Sequence, residues 1–451
     1  MMRIAKLLAM RMLDHEDSIA PKAPSVGSLS VERLKGISNT LRTLAVCGLS
    51  ICFLGPASSA HAANAEDSYA QSVFKLVKAH EDGLPRLTAP AEGTAKALIA
   101  GGSFYLGGDP GWIAEGDGRA GGLTMARPLP LGTPAPSTKA QPSAPEPGTW
   151  LSASTLPVKG DVVWIAYLPA EYAQDAAVAA ELESRGCFVV LFGPKLADGP
   201  PHASHWIDSL TSATDDANLT RMGNIISLWT LTAELTAATS RQGKTLSFYE
   251  SDSIEGARVR NGLYGKLSFH DGVPSMSPIA AGTLSRDYMR FIQTMLHEIN
   301  TQERSKIDQA ALELKNQAAA GHPAILMLVG HMLPSAVDQH SSLFRYMSYP
   351  AERNDLQKNL PQNGYFVFIG YVGIYLDLWK EVREDNAKAL WVASPLPTAV
   401  DFNQWHDVVL DEHWEIGDSA VTAPGYDVKI LPPSGIAQLF IYEMLMHAAG
   451  K

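Results

Sequence analysis

Cysteine is nearly absent from the chain: 3 in 451 residues. Cys47 and Cys52 fall within the first 62 residues, which leaves Cys187 alone beyond them. A single thiol excludes an intramolecular disulfide and any cysteine-based metal site there. In Arg185-Gly186-Cys187-Phe188-Val189 it reads as a small buried apolar residue opening a strand. Charge is also sparse, at 18% of residues, and acidic in balance: 36 Lys and Arg against 47 Asp and Glu, a formal net charge of −11. That excludes a global positive field for nucleic acid. The uncharged apolar run 44–54 is only about half the length of a bilayer-spanning helix. No glycine-rich stretch matches a P-loop or dinucleotide fingerprint, and Ser103 lacks the following glycine of a nucleophile elbow. Apolar residues, by contrast, make up 46% of the chain, enough for two or three packed domains.

The run 44–54 is preceded by Lys35 and Arg42 and followed by Ala60-His61-Ala62. A basic flank, a short apolar segment and an A-x-A site describe a secretory signal, 1–62, cut after Ala62. The expected location is periplasmic or secreted, with no stable membrane insertion after cleavage. Residues 63–451 then carry 29 basic and 43 acidic residues, a formal charge of −14.

Past the leader, apolar spacing predicts a helix over about 66–88. Seven prolines among small residues make 127–149 a flexible surface insertion. From Asp161 the texture is strand, helix, glycine, strand. Val162–Tyr167 is continuously apolar, a helix follows over 173–184, and Phe188–Phe192 is a second buried strand. A helix over 222–243 and a strand over Leu246–Tyr249 complete the first half. The second half repeats the pattern: a long helix over 286–320, strands at Ala324–Val329, Tyr365–Ile369, Ala389–Ala393 and Val408–Leu410, a helix over 374–386, and a closing helix at Ile436–Ala449. The expected fold is α/β, two tandem three-layer domains with parallel sheets flanked by helices, 63–280 and 281–451. The boundary is placed where Gly272, Pro274, Ser275, Ser277, Pro278 and Gly282 cluster.

Parallel sheets bind ligands at the carboxyl ends of their strands, and that rule selects the candidates. After the first strand, Asp109, Trp112, Glu115 and Arg119 offer a ring to stack on a sugar and polar groups for its hydroxyls; a solvated glycine-rich turn is the other reading. Glu250 and Asp252 follow Leu246–Tyr249, and Glu250 could serve as the base that moves a proton between adjacent carbons, or simply cap a turn. His331, directly after Ala324–Val329, is the candidate acid, or a buried structural histidine. Ser335, Tyr371, His413 and Ser434 stand at comparable strand-end or helix-start positions as ligand contacts. His331, Asp338 and His340 match no zinc spacing, so no metal is expected, and no other cofactor.

Certain segments carry a resemblance. Gly160-Asp161-Val162-Val163-Trp164-Ile165-Ala166, and Leu431-Pro432-Pro433-Ser434-Gly435-Ile436-Ala437-Gln438-Leu439-Phe440-Ile441-Tyr442, are similar to segments of the sugar isomerase (SIS) family of double-domain type, over roughly 66–450. The resemblance implies SIS-like domains, a ligand crevice between them, a carbohydrate-derived ligand and a homodimer as the assembly. Family members hold phosphate with a hydroxyl-rich turn. Here the matching turns are Tyr167-Leu168-Pro169-Ala170-Glu171-Tyr172 and Gly370-Tyr371-Val372-Gly373-Ile374-Tyr375, neither with Ser or Thr. A neutral or oxidised sugar is therefore expected over a phosphosugar. The functional expectation is an exported aldose–ketose type isomerase, the alternative a non-catalytic sugar-binding protein of the same fold.

Overall fold

A strand that is apolar at every position has no face for water, so helices must cover it on both sides. The computed structural model describes residues 57–129, 157–196, 203–212, 215–265, 267–270, 276–349, 352–371, 373–394 and 407–450. The apolar run 44–54, the insertion from residue 130 onward, and Gly272, Pro274 and Ser275 of the expected boundary lie outside them. Ala60-His61-Ala62 falls on the first helix, α1 (Ala57–Asp82), which starts earlier than its apolar spacing suggests.

The first half continues with α2 (Thr88–Ile99), β1 (Phe104–Gly108), α3 (Pro110–Gly116), β2 (Arg127–Pro128), β3 (Val162–Ala166), α4 (Tyr172–Ser184), β4 (Phe188–Lys195), β5 (His205–Ser212) and α5 (Ala217–Arg241). Its five strands are parallel and lie in the order β2-β1-β3-β4-β5. After α5 come β6 (Thr245–Leu246), α6 (Ala257–Tyr264) and β7 (Phe269–His270), a small antiparallel pair apart from that sheet. The second half holds α7 (Thr283–Glu298), α8 (Arg304–Ala319), β8 (Ala324–Leu328), α9 (Leu333–Ala336), β9 (Phe344–Ser348), α10 (Leu356–Asn359), β10 (Tyr365–Ile369), α11 (Leu376–Glu384), β11 (Lys388–Ala393), β12 (Val408–Asp411), the pair β13 (Val421–Thr422) and β14 (Lys429–Ile430), and α12 (Ser434–Ala449). Its parallel sheet runs β9-β8-β10-β11-β12.

Numbered within each half, both sheets read second, first, third, fourth, fifth. The chain therefore reverses direction across each sheet once, between β1 and β3 and between β8 and β10, and ligands of open α/β sheets sit above such reversals. Alternation along the strands makes the layers. Val162, Trp164 and Ala166 of β3 join a core shared with Leu326, Val367 and Ile369 of the second sheet. Val163 and Ile165 face a separate outer core under α4, and Phe366 and Phe368 face another under α11. Helices α5 and α12 are buried nearly all round. The polar residues of α5 tolerate this because Thr230, Thr232 and Thr236 donate to carbonyls one turn back.

Three local expectations differ from the structure. Strands β5 and β9 carry half-polar burial patterns and stand at sheet edges, so no continuous apolar run announces them. The expected long helix over 286–320 is divided by a π turn at Ile299–Glu303. Leu246–Tyr249 contributes only β6, because Ser247 and Tyr249 donate their N–H groups to Ser268 and Gly122 in loops. Glu250 and Asp252 consequently do not follow a strand of either parallel sheet.

Candidate functional site

The two reversals are capped in the same way by helices from different parts of the chain. Asn224 of α5 donates its side-chain amide to the carbonyl of Tyr167, the residue that follows β3 (3.1 Å). Gln438 of α12 donates to the carbonyl of Gly370, the residue that follows β10, and more weakly to that of Val329 (3.4 Å). Each central strand thus ends on an amide from a buried helix.

Above the first reversal, Gly108 turns the chain with φ of 89°; a Cβ there would lie 1.9 Å from the Ala166 carbonyl oxygen. Asp109 follows, buried, and caps α3 by accepting from the Trp112 N–H (3.1 Å). Arg221 of α5 pairs with the same carboxylate (3.1 Å). Glu171 and Asp175 stand at the start of α4 nearby. Burial, then the charges of Glu171 and Asp109, lift the Asp175 carboxyl to about 7. Trp112, proposed to stack on a ligand, lies in the core with its ring tilted against Phe192 and its Nε1 donating to Asn224 O (3.2 Å).

Helix α3 then meets the second reversal. Gly111 allows it to approach α9 so closely that a Cβ there would lie 2.9 Å from Ser335 Cβ. His331, just past β8, donates from Nδ1 to the Ala114 carbonyl of α3 (3.2 Å), because a carbonyl can only accept. Burial, then the nearby Arg119 charge, holds its imidazole down at about 3. The ring is therefore neutral, with Nε2 left as an acceptor. Tyr371, just past β10, packs edge-on against it at 5.9 Å between centroids.

Beneath this pair lies a buried ionic network. Arg119 pairs with Glu115 one turn back and with Asp418 (2.8 Å), and all three side chains are 0% exposed or nearly so. Arg119 also donates to Ser434 Oγ. The Ser434 hydroxyl and backbone N–H in turn donate to Asp418 (both 3.1 Å). The Tyr371 phenol bonds to the same carboxylate, and Trp229 Nε1 donates to Glu115 (3.1 Å). Burial works against the Arg119 charge, yet Glu115 and Asp418 together raise its pKa. Both carboxyls are in turn raised, burial outweighing the arginine. One guanidinium thus faces two carboxylates in a dry environment, with none of its charge directed outward.

Of the residues singled out from sequence, Glu115, Arg119, His331, Tyr371 and Ser434 converge here; Asp109 and Ser335 border the same junction. His413 sits elsewhere, between Glu298 and Glu303 beside the π turn (3.9 and 3.4 Å). Glu250 lies in a different setting, its backbone held by Asn261 and its carboxyl raised by burial with Arg260 and Asp427 as charged neighbours. Asp252 is exposed and 3.6 Å from Arg258. Sequence reasoning did not single out Asp418, Asn224 or Gln438. Asp418 occupies an irregular loop with φ of 45°, and the two amides sit on helices whose surroundings are decided by distant strands. Among the described residues no group of His, Cys, Asp and Glu could hold a metal ion, and no helix is long and apolar enough to cross a membrane.

No protein-family model and no curated protein matches the chain. Among solved structures it is similar to the C-terminal domain of glucosamine-fructose-6-phosphate aminotransferase from Francisella tularensis, at 9% identity over 86% of this chain and 95% of that one, with a TM-score of 0.45. It is similar also to tagatose-6-phosphate ketose/aldose isomerase from Escherichia coli, at 11% identity over 88% and 94%, with a TM-score of 0.39.

Proposed function

We propose that the protein binds an uncharged carbohydrate derivative where the two sheet reversals face each other, as a binding protein without isomerase chemistry. The observation that carries this reading is the state of Arg119. Its guanidinium is closed in by Glu115, Asp418 and Ser434, so it offers no charge to a phosphate. The groups that keep some exposure above it are the neutral His331, Tyr371 and the Ser335 hydroxyl. Neutral donors and acceptors suit sugar hydroxyls, and at the neighbouring reversal Arg221 is already paired with Asp109.

Two features argue against proton transfer between carbons. His331 takes up a proton only near pH 3, so it is a poor acid at neutral pH. Glu250, the base suggested from sequence, has Arg260, Asn261 and Asp427 as its neighbours, whereas His331 has Ala114, Tyr371 and Arg119. Export to the periplasm or outside the cell belongs to the same proposal, supported by the basic flank, short apolar run and Ala60-His61-Ala62.

Isothermal titration of the purified protein with neutral hexoses and their phosphate esters tests the reading. Saturable binding of an uncharged sugar, weakened about tenfold or more in His331→Asn and absent for the ester, is expected. Tighter binding of the phosphate ester, or aldose–ketose interconversion by the wild type, would overturn it.

A further inference from the structure

A hollow lies at the opposite end of the second sheet, where strands begin rather than end. Tyr365, Lys388 and Val408, the first residues of β10, β11 and β12, line it together with Gln309 and Glu313 of α8, and its volume is about 340 Å³. Tyr365 and Lys388 are direct partners across the parallel pair, so the phenol and the ammonium stem rise side by side.

The Tyr365 phenol is 2% exposed, yet its hydroxyl has no hydrogen-bond partner. Buried hydroxyls without partners are rare enough in folded proteins to need a reason. The acidic groups near it are already engaged. Asp407 accepts from Arg383, Trp379, Trp391 and the Ala389 N–H, at 2.9 to 3.2 Å. Glu313 accepts from Lys388 (3.2 and 3.3 Å) and from Gln317 (3.1 Å). Burial, then those two carboxylates, pushes the phenol's pKa upward, so it remains a neutral donor.

We infer that this hollow is a binding site for a small uncharged polyhydroxy compound, separate from the sheet-reversal site. The charges lining it cancel within the Lys388–Glu313 pair, so an anion would have to displace Glu313 and a cation Lys388. A hydroxyl can instead accept from Tyr365 and donate to Glu313 or the Gln309 carbonyl, leaving that pair intact. The Tyr365 ring and Val408 supply the apolar wall that C–H faces of such a compound require. Half-exposed Lys388 marks the mouth, with 54% of its side chain open to solvent.

Saturation-transfer NMR with D-glucose, myo-inositol and glucose 6-phosphate tests the site, run on the His331→Asn protein, in which the reversal site is weakened, and read as the difference that Tyr365→Phe makes in that background. Saturable binding of an uncharged compound is expected, about tenfold weaker once Tyr365→Phe removes the unpartnered phenol donor. The same substitution should leave the unfolding temperature without ligand unchanged or higher, because it deletes an unpartnered hydroxyl, and that readout separates lost binding from lost structure. Unaltered binding in Tyr365→Phe, preference for glucose 6-phosphate, or no saturable binding of either uncharged compound would overturn the inference. None of these outcomes bears on the reversal site, whose own test depends on His331.

Discussion

His80 shows how a single buried side chain ties stability to pH. Its Nε2 donates to the Ser209 carbonyl (3.0 Å), and burial, with Arg86 adding to it, lowers its pKa from 6.5 to about 3. Between these values the unfolded chain carries a proton that the folded chain does not, so stability rises with pH and is lost as pH falls from 6.5 toward 3. His331 acts in the same sense. Asp175 acts oppositely: its folded value near 7 lies above the ordinary 3.8, so its contribution is lost as pH rises between them. His80→Gln keeps a donor for Ser209 and removes the titration. Urea midpoints measured from pH 7.5 to 4.5 should therefore fall less steeply in His80→Gln than in the wild type. Parallel slopes would show that His80 does not carry the acid limb.

At the scale of elements, the matched amides of α5 and α12 are the devices that finish the two sheets. A strand-end carbonyl deprived of its donor and still buried costs about 1–3 kcal/mol. Gln438→Leu should therefore lower stability by that amount in urea denaturation. Asn224→Leu should do the same, and the double variant measures how far the two losses couple across the packed helices. Thr232→Val is the control, since that hydroxyl donates only within its own helix, to Leu228 (2.8 Å). Equal losses in the control would reduce the amides to ordinary core polarity.

For the whole molecule, the central question is whether two sheets of identical order melt as two bodies. One hydrophobic core takes Trp164 and Phe192 from the first sheet and Leu326, Val367 and Leu390 from the second, with α5 and α12 contributing to it. The Arg119–Asp418 pair joins residues 299 positions apart inside it. Such a shared core predicts one cooperative transition for residues 57–451. Calorimetric and van't Hoff enthalpies should agree, and hydrogen exchange in β3 and β10 should open together. Two resolved transitions would show that each half holds its own stability.

The amino-acid sequence alone determined the alternation of buried strands and covering helices. Val162–Ala166 and Tyr365–Ile369 are buried on both faces, and only continuous apolar runs satisfy that. It also pointed to Glu115, Arg119, His331, Tyr371 and Ser434, because residues just beyond strands or at a helix start are recognisable from local pattern. Edge strands β5 and β9 were not legible, since one polar face blurs their period. Tertiary structure alone decided that α3 would meet α9 through Gly111, that Asp418 would close over Arg119, and that Asn224 and Gln438 would cap equivalent carbonyls. Those pairings link positions scores to hundreds of residues apart, and their energies arise from burial that only the assembled core provides.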